Sequence, residues 1–197
     1  MRIGLLILGL LLLVAACTKE KKTSGDGVFE PLEFAVDSSK LGELIEVGGL
    51  RLHAPASWIN LDSSAMQQLI GVASRDTSEM QLRPERAFKR EGGGPMLLVS
   101  RFPKVVKLGA QFVPWAGEVA KVYRDQRKDV VVQEHWMSVS GVEALQLYAQ
   151  SAKLVHVKIL LNADEPISLD YTVPADMWPE EVRAVESSLG SLRKVYP

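Results

Sequence analysis

Three histidines and a single cysteine are the side chains of this chain best suited to hold a metal or attack an electrophilic carbon. A zinc site takes three or four nitrogen, sulfur or oxygen ligands in a tetrahedral array. His53, His135 and His156 fall in three different predicted strands, and no H-E-x-x-H pair occurs. Glu134-His135 and His156-Val157-Lys158 are expected on one sheet face, where a surface metal site is conceivable. The usual outcome for a histidine on an alternating strand is to face solvent, so no metal is expected. Nucleophilic hydrolysis finds no G-x-S-x-G elbow, and Ser63, Ser140 and Ser187-Ser188 sit in turn or cap contexts. Of the carboxylate pairs, Asp164-Glu165 lies in a predicted turn and Glu180-Glu181 complements the positive end of a predicted helix. Gly92-Gly93-Gly94, preceded by Lys89 and Arg90, offers backbone N–H groups to an anion. A strand rather than a helix follows it, so a loop is expected instead of a phosphate cradle. These residues predict neither a catalytic constellation nor a cofactor.

The cysteine stands in a different context. Ile3–Ala16 is an apolar run too short to span a bilayer core, which takes roughly 20 helical residues. With Arg2 before it, the run fits the apolar region of a signal peptide. Its end, Val14-Ala15-Ala16-Cys17 after Leu13, resembles the lipobox of bacterial lipoproteins. That resemblance implies that residues 1–16 are removed and that Val14, Ala15 and Ala16 are read by the signal peptidase. It also implies that the Cys17 thiol carries a diacylglycerol and that the new amino terminus is often acylated. The chemistry is consistent with the residue types: a thiol is the strongest side-chain nucleophile here, and small residues let an extended backbone enter a protease cleft. Two or three acyl chains, at ~0.8 kcal/mol per buried methylene, anchor stably where one does not. Thr18 rather than Asp after the cysteine favours, by Gram-negative sorting rules, the outer membrane facing the periplasm.

The remaining composition narrows the partners. Cys17 is the only cysteine, so no disulfide braces the exported domain. Acidic and basic side chains nearly balance, at 24 and 23, which argues against nucleic acid because that partner favours a basic stripe. Lys19, Lys21 and Lys22 are read either as a contact to anionic headgroups or as a solvated tether.

The elements that must position these residues follow from periodicity. Residues 17–43 are expected to be the lipidated cysteine and its tether, flexible over 18–27, with Phe29, Leu32, Phe34 and Val36 able to dock on the domain. Residues 44–197 form one domain. Leu50, Leu52 and Ala54 predict a short strand stopping at Pro55; Asp62 then caps a helix with Met66, Leu69, Ile70 and Ala73 on one face. Residues 74–94 read as a charged loop, Met96–Phe102 as a strand, and 114–128 as a helix with Ala116, Val119, Ala120 and Tyr123 inward. Four strands follow at Val130–Val139, Val142–Gln150, Leu154–Leu161 and Ile167–Val173. In the third, Val155, Val157, Ile159 and Leu161 are expected to be buried, with His156 and Lys158 on the other face. A last helix near 179–189 ends at Gly190, read as its C-terminal cap. Consecutive strands between helices predict an α+β fold with an antiparallel sheet.

The order of pieces resembles PsbP/Mog-type domains, including lipoproteins of the DcrB and LpqN kind. The resemblance rests on Pro55-Ala56-Ser57-Trp58 after the first strand, the hairpin Val139-Ser140-Gly141-Val142-Glu143-Ala144, and Glu181–Leu192 as the final helix. It spans about residues 48–195 and implies an antiparallel sheet flanked by helices on both faces, in proteins that mostly bind or assemble with other proteins. Trp58, Trp115, Trp136 and Trp178 lie near predicted element ends, as edge plugs or as a partner rim. Trp136 breaks its strand's alternation beside His135, so these two are the candidate partner surface. The leading expectation is a membrane-anchored, non-catalytic envelope lipoprotein that binds a protein partner. The alternative is a small-molecule or lipid carrier with a pocket between sheet and helices, and a hydrolase comes third.

Overall fold

The computed structural model describes residues 29–73 and 80–195. From the amino end, the chain forms β1 (Glu30–Pro31), β2 (Leu41–Val47), β3 (Leu50–Pro55), β4 (Trp58–Asn60) and α1 (Ser63–Ala73). Then come β5 (Arg83–Arg90), β6 (Met96–Arg101), α2 (Phe112–Asp125), β7 (Val132–Val139) and β8 (Val142–Gln150). The chain closes with β9 (Leu154–Leu161), β10 (Ile167–Pro174), α3 (Trp178–Gly190) and β11 (Arg193–Lys194). Eight strands make one sheet in the order β1-β7-β8-β9-β10-β6-β5-β4, and β11-β3-β2 make a smaller one. Every pairing is antiparallel except the short bridge of β1 to β7. The α+β class is therefore the one the sequence predicts. Among the described residues no helix is long and apolar enough to cross a membrane.

Local chemistry explains the connections. Ser140 and Gly141 both take positive φ (52° and 74°), the geometry of a two-residue hairpin turn, which pairs Val139 with Val142. Asp62 caps α1 as expected, its Oδ1 accepting from the backbone N–H groups of Ser64 and Ala65 at 2.9 Å each. The large sheet then buries both faces. One lies under α3 and the small sheet: Ile167, Leu169, Tyr171 and Val173 of β10 and Val155, Val157, Ile159 and Leu161 of β9 pack there with Leu52, Val185 and Leu189. The other lies under α2, where Phe112, Ala116, Val119, Ala120 and Tyr123 meet Leu145, Leu147 and Leu160.

Several expectations change. Residues 83–90 (RPERAFKR) are a strand rather than loop, hydrogen-bonded between β4 and β6. Only Ala87 and Phe88 carry its inward signal, and the charged neighbours hid it. Gly92-Gly93-Gly94 turns β5 into β6, and the segment 74–79 lies outside the described residues. Gly190 belongs to α3 and does not cap it; Ser191 does. A Cβ on Gly190 would stand 2.8 Å from Phe34 Cβ and from Val36 Cγ2, so the glycine is there for a close approach. That contact comes from Phe34 and Val36, which with Phe29 and Leu32 are the residues of the tether expected to be able to dock on the domain. Residues 29–43 bring β1 to β7 and lead straight into β2, so this part of 17–43 is built into the fold. Residues 1–28, with Val14, Ala15, Ala16 and Cys17, lie outside the described residues. Finally, Lys158 does not face solvent: it is 6% exposed, because α2 covers its side of the sheet.

Candidate functional site

A cavity of about 330 Å³ opens between α2 and the large sheet. Its upper wall is apolar, from Met80, Leu82, Phe102 and, on α2, Val119 and Val122; its floor is charged, from His156, Lys158 and Asp170. Strand phase positions the floor. The antiparallel register sets Asp170 of β10 opposite Lys158 of β9, and Thr172 opposite His156, so the three charged-type side chains rise from one face. Tyr123 descends onto them from the last turn of α2, with Gln126 and Arg127 following at the rim.

The floor is densely bonded. Lys158 Nζ donates to both carboxylate oxygens of Asp170, at 2.8 and 3.0 Å, and Ser168 Oγ donates to Oδ2 at 2.7 Å. His156 Nε2 stands 3.4 Å from Asp170 Oδ1, and the Tyr123 hydroxyl bonds His156 Nδ1. These partners assign the imidazole proton to Nε2, leaving Nδ1 to accept from the phenol. The Arg127 guanidinium carbon stands over the Tyr123 ring, 3.9 Å from its centroid. Burial pushes the Asp170 carboxyl up, but the Lys158 ammonium and the His156 imidazole outweigh it and hold that carboxyl well below the ordinary range. Burial pushes the Tyr123 phenol up to about 12.

Tyr123, His156 and Asp170 thus form a hydroxyl–imidazole–carboxylate chain, the connectivity of a nucleophilic relay. The phenol's environment runs against that use, since desolvation makes the phenolate harder to form and keeps the hydroxyl protonated at neutral pH. What the arrangement does well is present a rigid polar floor to something that enters between the apolar walls.

The opposite face has openings of about 400 Å³ at its margins, one beside Phe34, Gly190 and Arg193 and one beside Gly48, Gly49 and Lys194, and its buried polar groups are bonded away from them. Glu181, read as a helix-dipole residue, is buried, and its two oxygens take the Trp58 indole N–H at 3.1 Å and Arg90 at 2.8 Å. Ser187 and Ser188 are not caps. Ser188 Oγ donates to the His53 carbonyl at 2.6 Å and meets the Tyr171 hydroxyl at 2.9 Å, while Ser187 Oγ accepts from the Asp37 N–H. Glu165 of the turn pairs with Arg101.

The three histidines stay apart. His53 Nδ1 meets the Gly42 carbonyl at 2.9 Å, and His135 Nε2 lies 3.1 Å from Glu30 Oε2. His135 and His156 occupy opposite faces, because His135 pairs with Gln146, which pairs with Ile159. Among the described residues no group of three or more His, Cys, Asp or Glu is placed to hold a metal ion. Trp136 is half-buried rather than exposed. Its ring meets those of Phe29 and Phe112 edge-on, at 6.0 and 6.3 Å, so it joins the amino-terminal segment to α2. Trp115 packs on Phe102 at 4.8 Å and Trp178 on Tyr148 at 6.3 Å.

The charged floor escaped the sequence reading because Lys158 and Asp170 each looked like the solvent half of an alternating strand. One signal was present: the turn over residues 162–166 implies a hairpin whose register sets 158 against 170.

No protein-family model and no curated protein matches the sequence. Among solved structures, the chain is similar to cyanobacterial PsbP (CyanoP) from Synechocystis sp. PCC 6803, with a TM-score of 0.49 and 12% identity over 86% of this chain and 96% of that one. It is also similar to PA94, a Pseudomonas aeruginosa protein of unknown function, with a TM-score of 0.43 and 15% identity over 79% of this chain and 97% of that one.

Proposed function

We propose that this chain is a lipid-anchored protein of the cell envelope whose domain binds and carries a small amphipathic molecule without transforming it. The observation that carries this reading is the cavity beneath α2, apolar on its walls and charged on its floor. Its volume of about 330 Å³ sits at the lower end of the range for small-molecule sites, roughly 300–1,000 Å³. The lipobox Val14-Ala15-Ala16-Cys17 supports the anchor. The protein-partner alternative, placed on Trp136 and His135, has less support, because the Trp136 ring packs against Phe29 and Phe112 and His135 faces Glu30.

Native mass spectrometry of the full chain taken from membranes tests the carrier reading. A small-molecule adduct is expected, and Val119→Trp, which fills the cavity from α2, should remove it. A protein free of adduct that also fails to bind added apolar probes overturns the reading. For the anchor, Cys17→Ser should abolish lipid labelling and membrane partition; unchanged partition would refute it.

A further inference from the structure

Among the described residues, one charge at the rim of the cavity has no counter-charge. Asp170 is saturated by Lys158, Ser168 and His156, and Lys158 is neutralised by Asp170 in turn. Arg124, the other guanidinium near the end of α2, pairs with Glu134. Arg127 differs from both. Among the described residues it makes no ion pair with a carboxylate, although Asp125 and Asp129 stand close to it in the chain. Its polar contacts are to neutral groups: the Tyr123 hydroxyl, and His156 Nδ1 at 3.4 Å from Nη2. The guanidinium carbon stands over the Tyr123 ring, and five N–H donors exceed what these two neutral partners can accept, leaving the group without a counter-charge among the described residues.

An oriented, half-buried guanidinium at the rim of an apolar cavity is complementary to a molecule with an apolar body and one anionic end. Tyr123 fixes the side-chain rotamers before the ligand arrives, which lowers the entropy cost of the bond. We infer that the cavity takes a carboxylic acid with an apolar tail, its carboxylate gripped by the Arg127 fork and its tail between Val119, Val122, Phe102 and Leu82. Among the described residues the cavity presents one cation without a carboxylate partner, and one positive charge matches one negative charge, which favours a carboxylate over a doubly charged phosphate monoester. At about 330 Å³ the cavity lies at the small end of ligand sites, which suits a short-chain or aryl-alkyl acid. The inference rests on the carrier reading and adds the charge of the ligand to it.

Calorimetric titration of the full chain in nanodiscs, corrected with empty nanodiscs, tests it with two probes of the same body, 4-phenylbutyrate and 4-phenylbutanol. The acid is expected to bind at least tenfold more tightly than the alcohol. Arg127→Gln should bring the two within about twofold while leaving the alcohol's affinity unchanged, and Arg127→Lys should retain an intermediate preference because an ammonium offers charge without the fork. Equal binding of acid and alcohol by the natural chain, or a preference that survives Arg127→Gln, overturns the assignment of a carboxylate and leaves the carrier reading standing. Failure of both probes to bind, or binding that Val119→Trp does not weaken, overturns the cavity as the site and the inference with it.

Discussion

The two faces of the large sheet are made by the same strands and finished differently. On β10, Leu169 and Tyr171 point under α3 while Ser168 and Asp170 point under α2; on β9, Val157 and Ile159 oppose His156 and Lys158. Under α3 the helix and small sheet cover the apolar residues completely, and each buried polar group has a specific partner, as Tyr171 has Ser188 and Trp58 has Glu181. Under α2 a single helix covers the face, its last turn stands over charged residues, and a cavity remains. The first arrangement maximises burial and the second keeps preorganised polar groups near an opening. One side of the sheet is closed over apolar residues and the other over a charged cluster beside a cavity.

Substitutions on neighbouring residues of one strand can break that division. The largest effect is expected at the charged floor, where Asp170→Ala leaves the Lys158 ammonium buried without its counter-charge and should cost ~3–5 kcal/mol in urea unfolding. Replacing both partners, as in Lys158→Met with Asp170→Leu, should recover much of that loss. If Asp170→Ala costs under ~1 kcal/mol, water reaches the pair and the floor is not the rigid platform described.

Acid tests the same pair. The Asp170 carboxyl is held below its unfolded value of 3.8, so the folded state gains from its ionisation. That gain is fully present above the ordinary carboxylate range and is lost as pH falls through and below it. Urea midpoints measured from about pH 5 down to 2 should therefore fall more steeply for the natural chain than for Asp170→Asn.

On the closed face, one residue away, Leu169→Ala should cost ~2–5 kcal/mol by leaving a cavity in a fully covered core. Tyr171→Phe should cost about 1 kcal/mol, since Ser188 keeps its bond to the His53 carbonyl when the phenol is lost. The smallest effect belongs to the mouth of the cavity. Val122 is 43% exposed, and Val122→Ala should change stability by less than ~0.5 kcal/mol while weakening the binding of apolar probes. Equal stability losses at Leu169 and Val122 would mean that the two faces are packed alike.

Much of the fold was legible from local pattern. Strands β7 to β10, α2 and α3 follow from alternation and helical spacing, and Asp62 and Ser140-Gly141 mark a helix start and a hairpin turn by chemistry that acts within four residues. Strand β5 was not legible, because two apolar residues among charged ones leave no periodic signal and its existence depends on pairing with β4 and β6. The site was legible in part. Tyr123 is legible as an inward helix residue and is buried, while its hydroxyl's bond to His156 depends on the tertiary packing. Alternation sets Lys158 and His156 on the side of β9 opposite Val157 and Ile159, and carries no information that α2 covers that side.

By itself the sequence determined what short-range physics decides: an apolar run ending at Cys17, the strand phases, the helix starts and the turns. It also determined that no disulfide supports the domain, so burial must. Only the tertiary structure decided that α2 folds over His156, Lys158 and Asp170, that Trp136 is covered by Phe29 and Phe112, and that Gly190 admits Phe34 and Val36. Alternation states that two faces differ but not which polar face will be covered. That depends on contacts between residues far apart in the chain, and on the free energy of desolvating a charge only where a partner charge awaits it.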